Sequence, residues 1–78
     1  MLQLSELRFA EWFRAQPETG MGYWVVSAHL RNGRVIPQVM VDSGYVTRVR
    51  GYGTIPFAEG QVDHFEITHD KWDWRGDR

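Results

Sequence analysis

Histidine and carboxylate side chains are concentrated near the end of the chain, where they could bind a metal ion. His64 and Glu66 are two residues apart on one face of a predicted strand, and His69 and Asp70 follow them. Imidazole and carboxylate groups are metal ligands, but a metal site also needs a fixed ligand geometry, and this spacing is not diagnostic of one. A strand face exposed to solvent explains the same residues. The sequence therefore predicts no metal site and no cofactor.

The three serines are candidate nucleophiles for catalysis. Ser5 is predicted to precede a helix, Ser27 lies in a predicted strand and Ser43 in a turn, and no nucleophile-elbow motif surrounds any of them. The glycines on either side of Tyr52 precede a strand rather than a helix N-terminus, so a phosphate-binding loop is not indicated. The sequence therefore predicts no catalytic residues and a protein that is not an enzyme.

Arginines are concentrated in the middle of the chain. Residues 31–50 carry a net charge of +3, whereas residues 51–78 carry −3. Like charges on one sheet face repel each other unless an anion compensates them, so four arginines are candidate binding residues: Arg31, Arg34, Arg48 and Arg50. A nucleic-acid backbone would compensate them, with Tyr23 and Tyr52 available for base stacking. The acidic C-terminal stretch is an equally good partner, and the isoelectric point near 6.3 is low for a nucleic-acid-binding domain.

The length and composition of the chain indicate a single small domain over residues 1–78. A chain of this size buries only about 60–65% of its unfolded surface, so its stability is thin. Eleven aromatic residues, four of them Trp, are a large apolar content for one small sheet and favour self-association. Cysteine is absent, no apolar run reaches membrane-spanning length, and the first residues lack the apolar core of a signal peptide. The sequence therefore predicts a soluble, cytoplasmic protein without a membrane partner.

A short amphipathic helix is predicted over residues 5–16. Ser5 is the predicted N-cap, and Phe9, Trp12 and Phe13 follow at the spacing that places them on one helical face. Pro17 ends the helix, because the residue before a proline is pushed out of helical geometry. Aromatic residues at this spacing usually belong to a hydrophobic core.

Residues 23–68 alternate apolar and polar side chains, which is typical of an antiparallel β-meander. The strongest local signal is the Asn-Gly pair at 32–33, which favours a two-residue type I′ hairpin turn. That turn would pair Leu30 with Val35 on the inner face and would place Ile36 on the outer face. Pro37 cannot donate to a strand ladder and indicates an edge or a bulge.

The next turn, at residues 42–44, admits two registers. A two-residue loop would direct Arg48 and Arg50 into the core. A three-residue loop directs them outward and avoids several kcal/mol of charge burial. We therefore predict the three-residue loop, with Tyr45 facing inward and Val46 facing outward.

Two groups of apolar residues are candidate interfaces. On the predicted register an apolar row, Val25, Met40 and Val46, lies on the outer face and needs a cover. The cover could be the N-terminal helix, another subunit or a partner protein. The tail, residues 69–78, contains Trp72 and Trp74, which either fold back over the sheet or dock on a neighbour, because two Trp are costly to leave in water.

Two further short strands are predicted, over residues 54–57 and 62–68, with Phe65 and Ile67 inward, which makes five strands after one helix. This arrangement resembles the SH3-like small barrels, in particular the Sm-like branch, which also has a short helix before a five-stranded barrel. The resemblance covers about residues 5–68. The residues that carry it are Leu30, Asn32-Gly33-Arg34 and Val49-Arg50-Gly51.

The resemblance implies a small, strongly bent barrel and the habit of ring assembly. Sm-like chains carry an Asp and Asn pair in the loop after the third strand, whereas here Ser43 and Gly44 follow Asp42. The Arg50-Gly51 pair also precedes two strands instead of lying between the last two. No RNA-contacting residue is therefore carried over from the family. The chain also resembles small accessory proteins of bacteria or their phages.

The sequence as a whole predicts a mainly β protein in which an N-terminal helix precedes a five-stranded, strongly bent antiparallel sheet. Its predicted function is that of a non-enzymatic module that acts through protein contacts, as a homo-oligomer or with another protein. The alternative is an Sm-like protein that binds RNA or single-stranded DNA through its arginines.

Overall fold

The computed structural model describes residues 1–68, 70 and 72 of the chain. It confirms the predicted fold class: the protein is mainly β, with one short helix and a five-stranded antiparallel sheet curled into a half-barrel. The elements in chain order are β1 (Leu2–Gln3), α1 (Leu7–Ala15), β2 (Trp24–Leu30), β3 (Val35–Asp42), β4 (Tyr45–Val49) and β5 (Val62–Ile67). The strand order is β1-β4-β3-β2-β5, so β1 and β5 lie at the two edges of the sheet.

Helix α1 lies within the predicted range but begins without the expected serine cap. Ser5 Oγ donates to Glu59 Oε1 (3.0 Å), and the backbone N–H of Glu6, the N-cap residue, donates to Glu59 Oε2 (2.8 Å). A glutamate distant in sequence thus accepts the hydrogen bond that a capping-box glutamate accepts from within the first turn. The helix ends at Ala15, before Pro17, as predicted.

Replacing Glu59 with alanine is expected to lower the free energy of unfolding by about 1 kcal/mol, because the N–H of Glu6 loses its acceptor at the helix N-terminus. Urea unfolding followed by far-UV circular dichroism measures the change. Glu11→Ala is the matched control, since Glu11 is an exposed glutamate within the same helix. Equal unfolding midpoints for the two variants would contradict the capping role.

The aromatic face of α1 packs against one face of the sheet. Phe9 and Phe13 are buried, and the ring of Phe13 lies 5.3 Å from that of Phe65 on β5 and 5.4 Å from that of Trp24 on β2. Trp12 is partly buried against the same cluster. The main core therefore lies between the helix and the sheet, as the spacing of the helical aromatics predicts.

The first hairpin turn differs from the predicted one. The N–H of Leu30 donates to the carbonyl of Arg34, and the N–H of Gly33 donates to the carbonyl of Leu30, which leaves three residues in the loop. Gly33 has a positive φ (92°) but Asn32 does not, so the turn is not type I′. The predicted two-residue loop is wrong because the glycine at position 33 suits a three-residue loop equally well. Such a loop needs a single residue with a positive φ, and Gly33 supplies it.

The longer loop exchanges the faces of two residues at the start of β3. Ile36 is buried in the main core, whereas Val35 is 48% exposed, the reverse of the prediction. The middle of the strands nevertheless has the predicted register, since Val26 opposes Val39. A β-bulge in β3 lies between the start of the strand and its middle, and Pro37 is part of it. The extra residue in the bulge accounts for the one-residue change of register.

The second hairpin turn has the two-residue loop that the charge argument rejects. Asp42 opposes Tyr45, and both loop residues, Ser43 (φ 54°) and Gly44 (φ 82°), have the left-handed conformation of a type I′ turn. Val46 is consequently buried in the main core and does not belong to an outer row.

A β-bulge explains why this register buries no arginine. Val41 opposes Val46, but Met40 opposes Arg48, so β4 holds one extra residue at Thr47. The bulge returns Arg48 to an exposed position. The prediction of a three-residue loop was wrong because it assumed that inward and outward side chains alternate along β4 without interruption.

The fifth strand is not the predicted segment 54–57, which forms bends. It is β1, which pairs with β4 through Leu2 opposite Val46 and Gln3 opposite Tyr45. β5 pairs with β2, and its Phe65 and Ile67 pack in the main core as predicted. A two-residue strand has too little alternation to be detected in sequence.

Candidate functional site

A second, smaller apolar cluster lies on the face of the sheet opposite the main core, the outer face. Val25 and Met40, two members of the predicted row, are buried there together with Trp72. Trp72 of this chain therefore covers these two residues, and the helix does not. Trp74, the other tail residue of the predicted interface, lies outside the described residues.

The four candidate binding arginines fall into two groups. Arg48 lies opposite Met40, and the guanidinium carbon of Arg50 lies 4.3 Å from the ring centroid of Trp72, so this pair borders the outer cluster. Arg31, at the first hairpin turn, donates from Nε to the carbonyl of Gly60 (3.0 Å), on the side of β5. Arg34 is exposed in the same turn. The structure thus divides the predicted group between the outer face and the turn.

Two histidines on neighbouring strands, His29 on β2 and His64 on β5, lie beside carboxylates. The rings of His29 and His64 stack at 4.3 Å with an interplanar angle of 12°. His29 Nε2 lies 2.9 Å from Glu66 Oε1, and His64 Nδ1 lies 2.7 Å from Asp63 Oδ2. The hydrogen bond with His64 lowers the pKa of the Asp63 carboxyl below its usual value. Within residues 1–68, 70 and 72 no group of three His, Cys, Asp or Glu could hold a metal ion, and His69 lies outside that part.

A cleft of about 480 Å³ opens between α1, the loop that follows it and the β3–β4 turn. Its volume is in the range of sites that bind ligands. Apolar side chains form its floor: Leu4, Phe9, Phe13, Trp24 and Val41. Charged and polar side chains form its rim: Arg14, Glu18, Asp42 and Ser43. We call this site the helix cleft.

Backbone hydrogen bonds hold the walls of the helix cleft. The loop between α1 and β2 closes on itself, because the N–H groups of Thr19 and Gly20 both donate to the carbonyl of Tyr23. Trp24 Nε1 donates to the carbonyl of Gln16 (3.2 Å), which ties the floor to the end of the helix. The cleft is therefore formed before any partner binds.

The rim of the helix cleft carries more negative than positive charge. Among the described residues it contains one guanidinium group, from Arg14, and two carboxylates, from Glu18 and Asp42. Ser43 Oγ donates to Asp42 Oδ1 (2.8 Å), which holds that carboxylate at the turn. An apolar group with a neighbouring cation matches this arrangement.

The sequence predicts part of the floor of the helix cleft, the aromatic residues of α1, but not its rim. The aromatic face of α1 was visible as a periodic pattern. Glu18 lies in the loop after α1 and Asp42 is the last residue of β3, and the turn at Ser43 and Gly44 follows Asp42 at the cleft. No local motif marks such a pair, since their proximity depends on the register of β3 and β4.

Comparison of the chain with models of known protein families, with curated proteins and with solved structures finds no match.

Proposed function

We propose that this protein is a non-enzymatic interaction module that binds an apolar side chain of a protein partner in the helix cleft. The observation that carries the proposal is the cleft itself, with an apolar floor that reaches the aromatic core of the protein and a charged rim. Binding sites of this kind are concave and mostly apolar, with a few polar groups that orient the ligand.

An exposed methionine next to the helix cleft supports the proposal. Met21 is 99% exposed at the tip of the loop between α1 and β2, and Gly22 beside it lines the cleft. A flexible thioether side chain adapts its shape to different apolar partners, and methionine is common on protein-binding surfaces. Met21 thus places an exposed apolar side chain beside the helix cleft.

The chemistry of the rim favours binding over catalysis. An activated nucleophile needs an adjacent base that a third group orients. Ser43 is the one hydroxyl among the described lining residues, and it donates to a carboxylate, while no histidine or lysine lines the cleft in the part of the chain that the structure describes.

Selection from a phage-displayed random peptide library tests this proposal. Ala10→Trp places an indole in the helix cleft from an exposed helical position, and Ala15→Trp places the same indole at an exposed position that does not line it. Peptides selected on the unmodified protein should bind Ala15→Trp equally and lose at least ~10-fold in affinity for Ala10→Trp, about 1.4 kcal/mol. Equal affinity for all three proteins would contradict the cleft as the binding site.

Nucleic-acid binding is the second candidate function, favoured by Arg48 and Arg50 on the outer face and by the ring of Tyr52, which is 47% exposed. Cationic and aromatic side chains together form the usual surface for single strands. Binding of a labelled uridine oligomer should weaken steeply with salt and should be lost in the variant Arg48→Ala plus Arg50→Ala. Arg14→Ala, on the helix, is the control. No binding at low salt would contradict this function.

We propose that the protein acts in the cytoplasm. The chain contains no cysteine, so it has no disulfide bond that the reducing conditions there could break. Among the described residues, no helix combines the length and the apolar character needed to cross a bilayer. Homo-oligomer formation, as the eleven aromatic residues favour, is part of the proposal and is developed below.

A further inference from the structure

We infer that the occupant of the helix cleft is the C-terminal segment of a second copy of this chain, with Trp74 on the apolar floor and Arg75 at the acidic rim. The inference rests on the proposed function and names the partner. Residues 73–78 lie outside the described structure, and their sequence is Asp-Trp-Arg-Gly-Asp-Arg.

The side chains of this segment complement those of the cleft. Three aromatic rings, those of Phe9, Phe13 and Trp24, line the floor, and aromatic rings pack favourably on one another in edge-to-face geometry. Trp is also the residue most enriched at the energetic centres of protein interfaces. An indole therefore fits the floor better than an aliphatic side chain does.

The charges that flank Trp74 also match the rim. Arg75 follows the indole in sequence, and Glu18 and Asp42 provide the carboxylates at the rim. Asp73 precedes the indole, and Arg14 provides a positive charge at the rim. Guanidinium and carboxylate groups pair with two parallel hydrogen bonds, which sets the direction of a bound segment.

Trp74 follows Trp72 by only two residues, and Trp72 is held on the face of the sheet opposite the helix cleft. Trp72 packs on Val25 and Met40 on the outer face, whereas Trp24 and Val41 face the cleft on the other side. Two residues span at most about 7 Å. This short reach favours the cleft of another copy over the chain's own cleft, which opens on the opposite face of the sheet.

Reciprocal exchange of the two segments would give a closed dimer. Each copy has one cleft and one segment, so a two-fold axis satisfies both sites without leaving a free end. The two contacts act together. The affinity of a dimer that is held by only one contact is lower by a factor on the order of 10² or more.

Two complementary variants of the full chain test the inference. Ala10→Trp has a blocked cleft and an intact segment, and Trp74→Ala has an intact cleft and no indole. Light scattering coupled to size exclusion should give twice the 9.2 kDa chain mass for the unmodified protein and for Ala15→Trp, and the single mass for each complementary variant. Far-UV circular dichroism checks that all four proteins are folded.

Mixing the complementary variants provides the decisive readout. Isotope-labelled Trp74→Ala should show NMR shifts at Leu4, Phe13 and Asp42 when unlabelled Ala10→Trp is added, because one contact can form. The double variant, with both substitutions, should cause no shift. Equal shifts from the double variant, or an unmodified protein with the same mass as Trp74→Ala, would overturn the inference.

The same proteins distinguish failure of the inference from failure of the proposed function. If Trp74→Ala leaves the mass unchanged while selected peptides still lose affinity for Ala10→Trp, the cleft binds proteins but not this segment. If the selected peptides bind Ala10→Trp as well as the unmodified protein and Trp74→Ala also leaves the mass unchanged, the cleft is not the binding site and both are overturned.

Discussion

Replacing Trp72 with alanine is expected to lower the free energy of unfolding by about 3–5 kcal/mol, the usual cost of removing a buried Trp or Phe side chain. Trp72 is only 3% exposed and covers Val25 and Met40 on the outer face. Its ring also lies under the Arg50 guanidinium, and the contact is lost with it. A chain of this size has a total stability of about 4–12 kcal/mol, so one residue near the C-terminus carries a large part of it.

Urea unfolding at one fixed protein concentration, followed by far-UV circular dichroism, measures the loss. Tyr52→Ala is the control, because Tyr52 is a large aromatic residue that is 47% exposed, and its removal should cost less than about 1 kcal/mol. The Trp72 variant should also bind a hydrophobic dye, since Val25 and Met40 become accessible. If the two variants unfold at the same urea concentration, Trp72 does not anchor the outer face.

The second large effect is expected from a charge at position 46. Val46 is 0% exposed in the main core, between Leu2 on β1 and Val41 on β3. A carboxylate there would lie among the apolar side chains of the main core. Burying it costs several kcal/mol, close to the whole stability of the chain. Val46→Asp should therefore be largely unfolded in the absence of denaturant.

The neighbouring residue provides the comparison that decides the register. Tyr45 is 37% exposed and opposes Asp42, so Tyr45→Asp should cost only about 1 kcal/mol, part of it from repulsion across the strand pair. Far-UV circular dichroism of the two variants gives the answer. The three-residue loop expected from the sequence places Tyr45 inside and Val46 outside, and it would be correct if the order of the two effects were reversed.

The two hairpin turns show why local signals leave the register open. Both contain a glycine that suits either a two-residue or a three-residue loop, and the structure uses the loop opposite to the expected one in each case. The difference in local turn energy is small compared with the burial of Ile36 and Val46, each worth about 1.5–3 kcal/mol. The bulges at Pro37 and Thr47 then absorb the offset, and a bulge leaves no clear mark in an alternating sequence.

The helix and the last strand were predictable because their signals are local. The spacing of Phe9, Trp12 and Phe13 indicates the buried face of α1, and Pro17 indicates its end. The helix cap was not predictable, because its acceptor, Glu59, lies more than fifty residues away in sequence. The same limit applies to the rim of the helix cleft, where Glu18 and Asp42, which are distant in sequence, meet.

The sequence by itself determined the fold class, the position of the helix and the inner face of β2. It also indicated that Val25 and Met40 need a cover. These properties follow from composition and from periodicity within one element. Only the tertiary structure decided which turn each glycine makes, that Trp72 supplies the cover and that Glu18 and Asp42 lie at one cleft. The physical reason is that these outcomes depend on the summed burial of residues from several elements, which outweighs the small local preferences that a sequence displays.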